Sequence, residues 1–107
     1  MKEFIEITSE EQVEEAKKYD DKLVIEVYTP TCMKCRMVKK ALSENSAMEG
    51  ITLMSVNASE DIGGKFVYKH NISGVPTLIM INGTEEKTCY VDGIPEALSQ
   101  IKEFMGV

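Results

Sequence analysis

The chain is short of positive charge. Twelve lysines and arginines stand against eighteen aspartates and glutamates, a net charge of −6 over 107 residues. That balance argues against a nucleic-acid surface and against an anionic-lipid surface, since both favour an excess of cations. No run is apolar and long enough to span a bilayer. The opening residues Met1-Lys2-Glu3-Phe4-Ile5-Glu6-Ile7 place acids where a signal peptide has its apolar core. The cytoplasm is the expected location. Metal ligands of the soft type are scarce: three cysteines and one histidine. A four-ligand site would need Cys32, Cys35, Cys89 and His70 to converge, and no metal or other cofactor is expected. So few cysteines without an export signal do not make a disulfide framework, and a cytosolic disulfide is usually transient and catalytic. Repeats, linkers and low-complexity tracts are missing, so residues 1–107 are expected to form one domain with one core.

What is present centres on Ile25 to Arg36, Ile-Glu-Val-Tyr-Thr-Pro-Thr-Cys-Met-Lys-Cys-Arg. It reads as a buried strand running into a helix, with Cys32 and Cys35 at the joint. Side chains three apart on a helix share a face, so the two sulfurs can meet. A helix N-terminus carries unpaired N–H groups and partial positive charge. A thiolate placed there is stabilised and becomes a nucleophile near neutral pH. Cys32, at the entrance, is the expected attacker. Cys35, one turn in, is the expected shielded partner that resolves a mixed disulfide. The spacing alone also fits half a zinc site.

The rest of the chain reads as alternating elements. Phe4–Ile7 is a short strand. Ser9 with Gln12, or Thr8 with Glu11, has the spacing of a capping box ahead of a helix over about 10–19. Leu23–Tyr28 is nearly all apolar, which predicts a central strand covered on both faces; Glu26 interrupts it. The cysteine helix runs over about 33–45. Ile51–Asn57 alternates as a third strand. A helix capped by Ser59 reaches to about His70, although Gly63-Gly64 weakens it and Asn71 suits a left-handed stop. Thr77–Ile81 is a fourth strand. Asn82-Gly83 predicts a hairpin into a weaker strand, 87–91, with Glu85-Glu86 able to lengthen the loop. Pro95 opens a last helix whose apolar stripe includes Ala97, Leu98, Ile101 and Met105. Strand–helix–strand connections imply parallel pairs, and the hairpin adds an antiparallel edge.

This order, with Cys32-Met33-Lys34-Cys35 after the second strand and Gly74-Val75-Pro76-Thr77 before the hairpin, resembles the thioredoxin family. The resemblance covers nearly the whole chain. It implies an α/β thioredoxin-like fold, a mixed five-stranded sheet with four helices on both faces. It also implies that Val75–Pro76 is cis and faces the cysteines, and that the backbone of Val75 pairs with an extended substrate segment. Glu26 falls where the family buries an acid beneath the cysteines, as proton acceptor for Cys35. Thr31 stands where the family usually has tryptophan, a residue this chain lacks. Met33-Lys34 replaces the usual Gly-Pro, Lys40 lies where a proline commonly kinks the helix, and Leu53 is read as replacing a lysine near the buried acid. Tyr28-Thr29-Pro30-Thr31-Cys32 is closer to glutaredoxins.

The function implied is a thiol–disulfide oxidoreductase on protein disulfides. Cys32, Cys35 and Glu26 would be catalytic, and Thr31, Met33, Lys34, Val75 and Pro76 would contact substrate. Its partners would be protein disulfides and a reductant of the thioredoxin reductase or glutathione type, acting on a monomer. The alternatives are a glutaredoxin-like electron donor to one enzyme, a non-catalytic binding module, and a zinc or iron–sulfur carrier. Cys89 reads as a small buried hydrophobe, with a regulatory or dimer-forming thiol as the alternative, and His70 as a helix-end residue.

Overall fold

The computed structural model describes residues 2–107. The apolar run Leu23–Val27 lies inside a seven-residue strand, Lys22–Tyr28, and is buried throughout, Glu26 included. Because successive strand residues point to opposite faces, this strand feeds two cores. Val24 joins one with Leu53, Leu78 and Met80; Leu23, Ile25 and Val27 join the other with Met54, Val56, Ile79 and Ile81.

In chain order the elements are β1 (Ile5–Glu6), α1 (Glu11–Tyr19), β2 (Lys22–Tyr28), α2 (Met33–Glu44), a 3-10 turn (Ser46–Met48), β3 (Thr52–Asn57), α3 (Asp61–Lys69), β4 (Thr77–Asn82), β5 (Glu85–Tyr90) and α4 (Ile94–Met105). The sheet order is β1-β3-β2-β4-β5. Val38, Leu42, Ala97 and Ile101 bring α2 and α4 onto one face; Val13 and Phe66 bring α1 and α3 onto the other. This is the expected mixed five-stranded α/β architecture.

One connection departs from expectation. β3–α3–β4 does not make a parallel pair. β3 pairs parallel with β1 and β2, but β4 lies antiparallel to β2. The nine-residue α3 stops at Lys69, with Asn71 beyond its cap left-handed (φ 54) as expected, and does not carry the chain back along the sheet. Instead Thr77 begins β4 opposite Val27, near the end of β2. That reversal brings Pro76 to the end of the sheet where α2 starts.

Local signals explain smaller differences. Gln12 does reach back to the N–H groups of Thr8 and Ser9, but the reciprocal side-chain cap is absent. Ser59 does not cap α3. Its N–H donates to Asn57 Oδ1 at 2.9 Å, and the helix starts after Glu60. In the hairpin Asn82 pairs with Glu85, so the turn is Gly83-Thr84 and Glu85-Glu86 belong to β5. Gly83 supplies the positive φ, 64°, that such a tight turn needs. Gly63 is required for another reason: a Cβ there would lie 1.8 Å from the carbonyl oxygen of Asn57, so α3 packs directly on the end of β3.

Candidate active site

β2 delivers the chain to Tyr28, and Thr29–Thr31 carry it into α2. Cys32 is the N-cap of α2. Its backbone is extended, and its Sγ accepts the N–H of Cys35 at 3.1 Å. A sulfur in that position satisfies a helix-end donor and sits in the positive end of the helix dipole. The two Cα atoms are 5.3 Å apart and the sulfurs form a disulfide. The pair is asymmetric in access: Cys32 is half-buried, and Cys35 is buried at 2% exposure. Arg36, in the first turn, donates to the carbonyl oxygen of Pro30 at 2.6 Å and so ties the approach loop to the helix.

Glu26 lies on the α2 face of the sheet, fully buried, and neither carboxyl oxygen has a hydrogen-bond partner among the described residues. It shares a cavity of about 210 Å³ with Tyr28, Pro30, Cys35, Arg36 and Lys39. Burial pushes its pKa from 4.5 up to about 8; Lys39 pulls against that rise and Glu6 adds to it. The physical cause is the loss of water around a group with no donor to replace it.

The position beside Glu26 is not Leu53. The register sets Ser55 opposite Glu26 and Leu53 opposite Val24. Glu6, Ser55 and Glu26 therefore form one row across β1, β3 and β2. Ser55 turns its hydroxyl to Glu6 Oε1 at 2.9 Å, and the Tyr28 hydroxyl donates to Glu6 Oε2 at 2.9 Å. Burial and the Glu6 carboxylate push the Tyr28 phenol up to about 12.

Nor is Glu26 without a neighbouring cation. Lys39 stands over Tyr28 (Nζ 5.2 Å from the ring centroid) and Phe4 (5.4 Å). A cation over two ring faces is held there by their negative centres. The signal that could have found it is its spacing: Lys39 is four residues after Cys35, on the same helix face.

The second motif meets this end of the sheet. Val75–Pro76 is cis, and Pro76 is buried. Thr77 Oγ1 donates to the Gly74 carbonyl at 2.6 Å, and Val75, half-buried, makes no backbone hydrogen bond among the described residues. Thr31, Met33 and Lys34 are exposed around Cys32. Beyond Met33 an apolar groove of about 460 Å³ runs between Met37 and the Gly93–Pro95 segment. Lys34 Nζ lies 4.0 Å from Asp92 Oδ1 at its rim.

His70 and Cys89 are placed elsewhere. Cys89 stands opposite Leu78 on β5, packed against the α4 core, and burial pushes its thiol up. His70 ends α3, stacked on Phe66, with Nδ1 3.6 Å from Glu86 Oε2; burial pulls its pKa down. Among the described residues no three His, Cys, Asp or Glu side chains are grouped to hold a metal. No helix there is long and apolar enough to cross a membrane.

Comparison with known proteins adds the following. A family model described as Thioredoxin matches residues 3–105. Mitochondrial thioredoxin 3 of Saccharomyces cerevisiae, in its oxidised form, is similar in structure: TM-score 0.79, 18% identity, 94% of each chain covered. A thioredoxin mutant from Halobacterium salinarum gives 0.80 at 15% identity, over 98% of this chain and 93% of that one. Oxidised thioredoxin O2 of Arabidopsis thaliana gives 0.76 at 24% identity, over 95% and 93%. A comparison with curated proteins finds no match.

Proposed function

This chain belongs to the thioredoxin family, and from that premise we propose that it reduces protein disulfides through a reversible Cys32–Cys35 pair. The observation that carries the reading is the shared cavity that joins the shielded sulfur, Cys35, to a buried carboxyl, Glu26.

The cycle starts from the dithiol. The Cys32 thiolate, stabilised at the helix N-terminus, attacks one sulfur of the substrate disulfide, and the other substrate sulfur leaves as a thiolate. Cys35 then gives its proton to Glu26 and attacks Cys32 Sγ. The second substrate sulfur leaves, and Cys32–Cys35 is oxidised. Two electrons pass from protein to substrate, and both substrate thiolates take up protons. A carboxyl whose pKa lies near neutrality suits this exchange, because it can take the proton and return it. Val75, with its backbone groups unpaired, and the exposed Thr31, Met33 and Lys34 line the approach to Cys32. An external reductant, a flavin-type thioredoxin reductase or glutathione, resets the pair. We place the protein in the cytoplasm, where such reductants act; cell fractionation tests this.

The deciding experiment is alkylation of the reduced protein at mildly acidic pH, followed by peptide mapping, beside turnover of a protein disulfide. Cys32 should label first, and replacing either Cys32 or Cys35 with serine should abolish turnover. First labelling of Cys35 or Cys89 would reverse the assignment. A protein that still holds its partner with both cysteines replaced, and that turns over no disulfide in wild-type form, would be a binding module instead.

A further inference from the structure

From Thr29 to Ser43 the chain has four cations, Lys34, Arg36, Lys39 and Lys40, and no acid, in a molecule whose net charge is −6. Only Lys34 has a carboxylate within ion-pair distance among the described residues. The others meet Lys2 and Phe4 along a groove of about 560 Å³ between α2 and the N-terminal segment; Glu3, Ser43 and Glu44 also line it. This arrangement costs stability. Arg36 and Lys40 are like charges at i,i+4, and cations in a first turn oppose the helix dipole. Among the described residues neither Lys2 nor Lys40 forms an ion pair.

The groove starts at Arg36, one helical turn beyond the reactive sulfur. Cys32, Arg36 and Lys40 fall at i, i+4 and i+8, so the cationic stripe begins at the nucleophile and extends about 12 Å along the helix. An extended segment covers that distance in about four residues.

We propose that this groove docks an acidic segment of the partner protein whose disulfide Cys32 attacks, with carboxylates within about four residues of the attacked cysteine. The proposal rests on the oxidoreductase reading above and adds to it the kind of substrate preferred. Charge complementarity selects the occupant. The four cations lining the groove, Lys2, Arg36, Lys39 and Lys40, draw acidic segments toward this side of α2 and turn basic ones away. An anionic bilayer carries the same charge, but it would have to approach the remaining acidic surface as well. A groove bounded by Glu3 and Glu44 fits a narrow chain better than a plane.

The test uses peptides of equal length with one cysteine as a neutral thiopyridyl mixed disulfide, flanked by aspartates, serines or lysines. Release of the thiopyridyl group by the reduced protein reports attack by Cys32. At low salt the aspartate peptide should react on the order of tenfold faster than the lysine peptide. Screening should close the gap to about twofold near 0.5 M salt. The double variant Lys2→Glu/Lys40→Glu should keep the wild-type rate with the serine peptide and lose or invert the preference. Equal rates for the three peptides, or an unchanged preference in the variant, would overturn the proposal. Binding of a cysteine-free aspartate peptide, read by fluorescence anisotropy, separates the two claims. If no mixed disulfide reacts but that peptide binds wild type and not the variant, the groove stands and the redox reading falls. Association with anionic vesicles without any peptide preference would assign the patch to lipid and end the proposal.

Discussion

A carboxyl group sealed beneath a disulfide takes its protonation from the few groups that face it. For Glu26 these are the protein interior, Lys39 and Glu6, and the first wins: the pKa is pushed up to about 8. The sign of the stability effect follows. The unfolded chain ionises this group near 4.5, and the folded chain holds the proton until about 8. Its favourable contribution is complete below the unfolded value and is lost as pH rises through the folded one. Across that window the loss is on the order of 3–5 kcal/mol. Glu26→Gln should therefore be more stable than wild type at pH 8 and differ little at pH 4, as read by urea melts. It should also resolve trapped mixed disulfides more slowly. Resolution at the wild-type rate would leave Glu26 a structural residue. Lys39→Gln removes the one cation that opposes the rise, so the pH at which resolution accelerates should move upward; a downward move would contradict the geometry. Glu26 was legible in the sequence because a charge inside an apolar strand has few explanations. Lys39 was not, because its partners, Phe4 and Tyr28, are brought to it only by the register of the sheet.

At the scale of the element, the two adjacent glycines of α3 make opposite demands. Gly64 faces open space, while Gly63 touches the carbonyl of Asn57. Gly64→Ala should stabilise the protein by about 0.5–1 kcal/mol, through helix preference and a less free unfolded chain. Gly63→Ala should destabilise it by roughly 1–3 kcal/mol or more, since backbone must move to admit the methyl group. Thermal melts of both variants compare them directly, and equal effects would mean that α3 does not pack on β3 as described. Sequence periodicity cannot tell these glycines apart, because the difference lies in another strand. It did locate every helix and strand, since each keeps an apolar stripe or alternation. It missed the 3-10 turn at Ser46–Met48, which is too short for a period. It misjudged the starts of α3 and β5, where one side-chain bond from Asn57 and one turn at Gly83 decide the boundary.

For the molecule as a whole, the Cα radius of gyration is 12.4 Å, close to the ~13 Å expected of a folded chain this long. We expect a monomer, and small-angle scattering of the oxidised protein should give the size of one chain; a clearly larger value would indicate a dimer. The fold class was legible because element order and two short motifs agree on it. The strand order and the reversal at β4 were not, because they depend on where α3 releases the chain. The outermost strand, β5, has a further consequence. Its Glu85, Glu86 and Lys87 are exposed, and it borders the sheet on the side away from β4. A bare strand edge is a template on which other chains can polymerise, and charges along it make each added copy repel the last. The same three residues therefore bear on shelf life: concentrated stocks should resist fibril growth, and a variant with neutral residues at Glu85, Glu86 and Lys87 should lose that resistance.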